Sequence, residues 1–425
     1  MLPSVPIERH RLPNDLRVVL SPDTRIPIVA VNLWYDVGTK HERPGKTGFA
    51  HLFEHMMFQG SKNVAKGEHF QLIQSAGGSV NASTDLDRTN YYETLPSHEL
   101  ELAIWLEAER MAHLLPAMTQ EKLDNQRAVV KNERRANVDN VPYGTWDEKL
   151  EELLFPEWHP YHHGTYGSME DLSGATLEDV KDFCTTYYRP NNTVLTVAGD
   201  FEPDSALAMI ARHFGPIPAN PDVPAPPDVA LDPFPIGAEV REVLQDQASL
   251  PRVYLAYRIP IFGSDQFDAF AVTADLLAAG RASRLYETLV RERQVAQDVA
   301  AFPMPLVGGA AFLTIWATAS PTIAPAQLES ELLTAIDRLA DDGSDDDELT
   351  RVRNLHAAAT ASSLERIAER ADRLGQYACL FDEPERINTE GSRYEAVTAQ
   401  HVQAAMASMM RPDNRVVLTY VPAEP

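Results

Sequence analysis

His51 and His55 stand four residues apart in Gly48-Phe49-Ala50-His51-Leu52-Phe53-Glu54-His55-Met56-Met57-Phe58, with Glu54 between them. On an α-helix, residues i and i+4 stack on one face one turn apart, so the two imidazoles point the same way. Two neutral ring nitrogens in that relation can grip a single tetrahedral ion. Glu54 also lies on the near side and can reach a water held by that ion. The other side chains of the segment, Leu52, Phe53, Met56, Met57 and Phe58, are apolar and predict burial. Burying two imidazoles and a carboxylate is costly unless something pairs with them. The HxxEH pattern is the HExxH zinc motif read in the opposite chain direction. Zinc tolerates that reversal, because it needs two nitrogens and a nearby carboxylate whatever the direction of the chain.

A third candidate comes from the helix that Thr119 is expected to cap and that should run to about Val138. Leu123, Gln126, Val129, Val130 and Glu133 share one stripe of it. A carboxylate on a core-facing stripe is uncommon without a partner. Glu133 therefore fits a third, oxygen ligand, with the fourth position left for water, and it equally fits a salt bridge to an arginine such as Arg88. Trp158, His159, Tyr161, His162 and His163 cluster on a Pro- and Gly-broken segment without fixed spacing, and loop packing is the expectation there.

These residues need elements to hold them. Ile26–Trp34 is the strongest strand, and a polar loop from Gly38 to Gly48 delivers the chain into the histidine helix. After a helix at Gly67–Ser75, Ala76-Gly77-Gly78-Ser79-Val80-Asn81-Ala82-Ser83-Thr84 reads as a turn feeding a short strand. A second strand follows at Arg88–Leu95. Short strands with a glycine pair at one end are often sheet edges. Residues 215–235 are dense in proline and read as a semi-rigid linker.

The second half repeats the first. Thr176-Leu177-Glu178-Asp179-Val180, Arg189-Pro190-Asn191-Asn192 and Val194-Leu195-Thr196 are echoed by Thr398-Ala399-Gln400-His401-Val402, Arg411-Pro412-Asp413-Asn414 and Val416-Val417-Leu418-Thr419. The helix matching the histidine helix, Gln266–Ala278, contains no histidine, and a long helix is expected near Asp346–Tyr377. The chain reads as two copies of one α+β unit with metal chemistry kept in the first. The domains implied are 1–216, a linker at 217–235, and 236–425.

Composition bounds the rest. With 425 residues, 44% hydrophobic and 23% charged, the chain has the makings of two globular cores. A formal net charge of -25 argues against nucleic acid, whose phosphates would be repelled. Two cysteines far apart make neither a disulfide framework nor a thiolate metal site. No signal-like run and no apolar stretch of membrane-spanning length occurs, so the expectation is a cytoplasmic protein without a membrane partner.

The run HLFEHMMFQGS, the NAST strand, the AVVKNERR helix and the RPNNTVLTVAG strand together resemble the pitrilysin/insulinase metallopeptidases, and more narrowly the bacterial subfamily related to the mitochondrial processing peptidase. The resemblance implies one zinc ion on His51, His55 and Glu133, with Glu54 as the catalytic base. It implies two similar domains, each a mainly antiparallel sheet with helices packed on one side. It also places extended peptide substrates along the NAST strand as an added strand. Gly77, Gly78, Asn81, Ala82 and Ser83 would then bind the substrate backbone, and Phe58 would line a side-chain pocket. One departure stands out: Val290 and Gln297 occupy the places where the family pattern has an Arg and a Tyr that hold the substrate carbonyl. Arg291 is adjacent, and Gln126 stands where some relatives carry a second acid. The implication is a zinc-bearing subunit of a heterodimer whose homologous non-zinc partner supplies the Arg and Tyr. A homodimer is the second choice, and a non-catalytic scaffold of the same fold is the rival from another class.

Overall fold

The structure is a computed structural model that describes residues 4–423 except 228 and 233. The linker expected at 217–235 therefore lies partly outside the described residues. The chain forms two compact units. The first comprises the chain up to Asn132, Gly164–Pro227 and Ala359–Thr389; the second comprises Glu133–His163, the stretch after Pro227 as far as Ala358, and the chain from Glu390.

The first unit is built on six strands: β1 (Glu8–Arg11), β2 (Arg17–Pro22), β3 (Ile28–Tyr35), β4 (Ser79–Thr84), β5 (Thr89–Pro96) and β6 (Thr193–Gly199). Their order is β1-β2-β6-β3-β5-β4, with every pairing antiparallel except β2 with β6. The glycine-preceded strand β4 is the edge, as its sequence predicts. Alternation along β3 assigns the two faces. Val29, Val31, Leu33 and Tyr35 enter the main core with the histidine helix Phe49–Met56 and the helix Leu100–His113. Ala30, Asn32 and Trp34 point the other way, toward the helix Ile367–Phe381. There Asp372 accepts from Asn32 Nδ2 (3.0 Å), Trp34 Nε1 (3.0 Å) and Asn90 Nδ2 (2.8 Å). The expected helical layer is thus joined by one helix on the opposite face.

The second unit carries β7 (Val240–Asp246), β8 (Arg252–Ile259), β9 (Ala296–Met304), β10 (Ala311–Ala319) and β11 (Arg415–Pro422) in the order β7-β11-β8-β10-β9. Again one pair, β7 with β11, is parallel and the rest are antiparallel. The helix Trp146–Leu154 lies on this sheet, with Trp146 stacked on Tyr254 at 5.6 Å between centroids.

The segment expected as one long helix near Asp346–Tyr377 is two helices, Asp346–Glu365 and Ile367–Phe381. Arg366 breaks the run with extended backbone (φ -83°, ψ 118°). The break frees helical carbonyls that need donors. Arg370 supplies one, donating from Nη2 to the Leu364 carbonyl at 2.9 Å while Nη1 pairs with Asp23 at 2.7 Å. The helix expected to reach Val138 ends at Arg134 and passes into a wider π-helical turn, Arg135–Asp139.

Candidate metal centre

The histidine helix starts at Gly48, whose φ of +81° and contact distance leave no room for a side chain. A Cβ there would lie 2.4 Å from the Tyr166 carbonyl oxygen. Glu42 caps the helix through both carboxylate oxygens, accepting from the backbone N–H of Gly48 (2.8 Å) and of Ala50 (2.7 Å). A carboxylate there satisfies donors the helix leaves unpaired and suits the positive end of its dipole. The Tyr166 ring stands edge-on to His51 at 4.9 Å and fixes one side of that imidazole.

The two imidazoles converge: His51 Nε2 and His55 Nε2 lie 3.2 Å apart. Glu133 belongs to the Gln120–Arg134 helix, which lies in the first unit through Asn132 and whose continuity carries Glu133 one residue further. One ligand atom from each of His51, His55 and Glu133 lies within 4.8 Å of the others. On the stripe that points to Glu133, Leu123, Gln126 and Val130 are buried, whereas Val129 is 39% exposed and lies off it. The alternative partner, Arg88, is engaged elsewhere, donating to the Ser83 carbonyl (2.7 Å) and to Asn90 Oδ1 (3.1 Å). Just beyond Glu133, Arg134 makes a two-pronged ion pair with Glu148 at 2.7 and 2.8 Å, which holds the end of the helix.

The donor set fits zinc. Tetrahedral bonds of ~2.0–2.1 Å separate two ligand nitrogens by roughly 3.3 Å, close to the observed spacing. Two neutral nitrogens and one carboxylate also match the three-ligand arrangement that keeps a fourth position open. Glu54, half-buried on the same helix, accepts from Thr84 Oγ1 at 2.6 Å. Thr84 ends the edge strand β4. Sequence reasoning passed it over because a threonine after NAS carries no signal of its own.

The other expected site residues fall as follows. Asn81 is exposed on β4; Ser83 is half-buried and hydrogen-bonds Asn90 at 2.8 Å; the Ala82 side chain enters the core. Gly77 has φ +82°, and at Gly78 a Cβ would meet the Thr94 carbonyl at 2.7 Å, so the pair is also required by the turn into β4. Phe58 is half-buried against Phe70 at 4.5 Å. Gln126 is buried, with Nε2 donating to Asn125 at 3.1 Å. In the second unit, Val290 is half-buried in the π-helical segment Tyr286–Glu292, and Gln297 is exposed on the edge strand β9. Arg291 is exposed and pairs with Glu287 at 2.6 Å. The loop histidines pack, as expected. Burial pushes His159 down to about 4, and its ring stacks on Phe155 at 4.7 Å while Nδ1 accepts from the Tyr161 N–H.

A second constellation lies in the first unit: His69, Glu93 and Glu107, all buried. His69 Nε2 meets Glu93 Oε1 at 2.5 Å, and Arg110 grips both oxygens of Glu107 through Nε and Nη2. The Glu107 oxygens are neutralised by that guanidinium, which makes the constellation a buried charge cluster. Its only signal in the sequence is the alternation Tyr91, Glu93, Leu95, which places Glu93 on the core face of β5.

Comparison with known proteins is consistent with this picture. Residues 17–155 match the family model described as insulinase (peptidase family M16), and residues 174–355 match the one described as the peptidase M16 inactive domain. The chain is 29% identical over 376 residues to a zinc protease, PqqE, of Helicobacter pylori, covering 88% of this chain and 84% of that protein. A crystal structure of a protease from Helicobacter pylori superposes with a TM-score of 0.90 at 25% identity, over 98% of this chain and 100% of that one. Pitrilysin shares the fold, with a TM-score of 0.79 at 20% identity over 100% of this chain and 46% of that one. Among the described residues, no helix is long and apolar enough to cross a membrane.

Proposed function

The chain belongs to the insulinase family, peptidase family M16, and from that membership we propose that it is a zinc endopeptidase cleaving extended or unfolded peptides. The observation that carries the reading is the convergence of His51 Nε2, His55 Nε2 and a Glu133 carboxylate oxygen, with Glu54 on the same helix. His51, His55 and Glu133 would hold the ion. When bound, zinc supplies Lewis acidity toward a water and a peptide carbonyl. Glu54 takes a proton from the attacking water onto its carboxylate and passes it to the leaving amine. The open edge of β4, with Gly77, Gly78, Asn81, Ala82 and Ser83, receives the substrate backbone as an added strand. Phe58 lines a neighbouring side-chain subsite.

Val290 and Gln297 leave this chain without the Arg and Tyr of the family pattern, and Arg291 is already paired with Glu287. Losing one well-placed donor to a developing oxyanion costs roughly 2.7–4 kcal/mol, a factor of hundreds in rate. The chain therefore works as the zinc-bearing subunit of a pair, with a homologous partner supplying those donors.

The test is metal analysis together with hydrolysis of a quenched peptide library, alone and with a homologous non-zinc subunit. Glu54→Gln should keep stoichiometric zinc and lose roughly 10²–10⁴-fold in turnover; near-wild-type cleavage would refute the mechanism. Glu133→Ala should lose zinc on dialysis against a mild chelator. Bound zinc with no turnover under any pairing would favour the scaffold, and robust turnover by the chain alone, unaffected by Arg291→Ala, would remove the divided site.

A further inference from the structure

We propose that Thr84 is a positioning residue for Glu54, so that the edge strand expected to seat the substrate also aims the base; this rests on the peptidase reading above. The side chains of β4 alternate. Ala82 enters the core and Ser83 turns to the opposite face, where it bonds Asn90 and Arg88. Thr84 therefore returns to the face of Ala82, the side of the histidine helix, and its hydroxyl donates to Glu54 Oε2 at 2.6 Å.

The direction of that hydrogen bond is set by its surroundings. A threonine hydroxyl has one proton to give, and a carboxylate can only accept. The adjacent Thr89 donates its own proton to the Val37 carbonyl at 2.9 Å, so in its 3.5 Å contact with Thr84 it is left as an acceptor at most. The short bond to Glu54 is where the Thr84 proton goes. A hydrogen bond to an ionised acceptor is among the stronger kinds and constrains the rotamer it ends on. Fixing Oε2 in this way restrains the whole carboxylate. Thr84 and Glu54 are 30 positions apart in sequence and lie on different elements. Their bond ties the position of β4 to the orientation of the base, so a peptide that shifts β4 on binding also adjusts Glu54.

The test uses the full chain with its partner. Thr84→Val keeps the shape and removes the proton; Thr84→Ser keeps the proton. Thr84→Val should retain stoichiometric zinc and lower kcat about tenfold or more with KM within twofold, and Thr84→Ser should restore kcat. An unchanged kcat, or a loss carried mainly by KM, would overturn the assignment. A second readout needs no turnover. In the zinc-free full chain, urea unfolding of Thr84→Val, Glu54→Ala and the double variant forms a cycle that should be non-additive. Additive effects would overturn the contact even if the enzyme is active. Coupling in a chain that cleaves nothing would uphold the contact and place the failure on the peptidase reading.

Discussion

The two sheets can be laid over one another strand for strand. β2, β6, β3, β5 and β4 of the first correspond to β7, β11, β8, β10 and β9 of the second, including the single parallel pair and the free edge. The joints repeat as well. Asn192 Nδ2 donates to the carbonyls of Asp36 and Tyr187, and Asn414 Nδ2 donates to those of Arg258 and Met409. Each asparagine thus ties the end of a central strand to the end of the preceding helix. The interiors differ. Counting from these asparagines, Val197 and Thr419 are equivalent; through Val31 and Val253 their registers lead to Glu93 in one sheet and Ala317 in the other. The unit with the histidine helix buries a carboxylate where its twin buries a methyl group. A duplicated scaffold keeps its joints, while this one interior position carries a carboxylate in the first sheet and a methyl group in the second.

The largest effect that could break this comparison is a pH dependence centred on Glu93, whose counterpart in the second sheet, Ala317, cannot titrate. Burial pushes the Glu93 carboxyl up from 4.5 to about 7. A folded-state value raised above the unfolded one gives stability that is fully present below about pH 4.5 and is lost as pH rises through 7. The linked free energy is on the order of 3 kcal/mol. His69 acts oppositely: burial pushes it down to about 3, so its contribution is present above 6.5 and falls away as acid is added. Comparing wild type with Glu93→Gln removes this carboxyl together with its repulsion of Glu107, which burial likewise pushes up to about 7. The variant should be the more stable at pH 8, with the gap closing toward pH 5, as read by hydrogen exchange of the β5 amides. A gap of constant size would mean that Glu93 titrates normally and that the two interiors differ only in shape.

A smaller effect would sharpen the likeness. Asn192→Ala and Asn414→Ala each remove two hydrogen bonds to backbone carbonyls from a nearly fully buried side chain. Each should cost about 2 kcal/mol or somewhat more, because the carbonyls are left without those donors. Urea midpoints that fall by similar amounts would establish the joint as one device used twice. A loss in one unit only would show that the repeat of sequence is not a repeat of energetics.

Much of this was legible in the chain itself. The HxxEH helix, the edge position of β4 and the duplicated RPNN and RPDN segments announce themselves through spacing, a glycine pair and a recurrence. What was not legible depends on contacts far apart in sequence. Arg366 gives no local sign that it breaks a helix; the break is stabilised by Arg370 and by Asp23, more than 340 positions away. Covering of the second face of the first sheet rests on Asp372 meeting Asn32, Trp34 and Asn90, which no periodicity within either segment reveals. Thr84 escaped notice for the same reason: its meaning lies in the carboxylate it meets.

The smallest test concerns the caps. Thr176 and Thr398 each open a helix by accepting from the third residue's N–H, at 3.2 Å from Asp179 and 3.3 Å from His401. In both, the third side chain answers by accepting from the cap residue's own N–H, through Asp179 Oδ2 at 3.0 Å and His401 Nδ1 at 3.3 Å. Removing a threonine cap costs typically about 1 kcal/mol. The two losses should not be equal. In the first unit Thr176 Oγ1 also meets Asp179 Oδ2 at 2.6 Å, and that same oxygen pairs with Lys46 at 2.7 Å, in the loop that leads to the histidine helix. Thr176→Ala therefore loosens a carboxylate that also holds this loop, whereas Thr398→Ala loosens an imidazole with one backbone donor. Thr176→Ala should destabilise by a few tenths of a kcal/mol more than Thr398→Ala, and should speed amide exchange at Lys46 and Thr47 as well as at its own helix. Equal losses with unchanged exchange in that loop would show that the cap is a local device in both copies, and that the entry to the histidine helix is held by Glu42 without it.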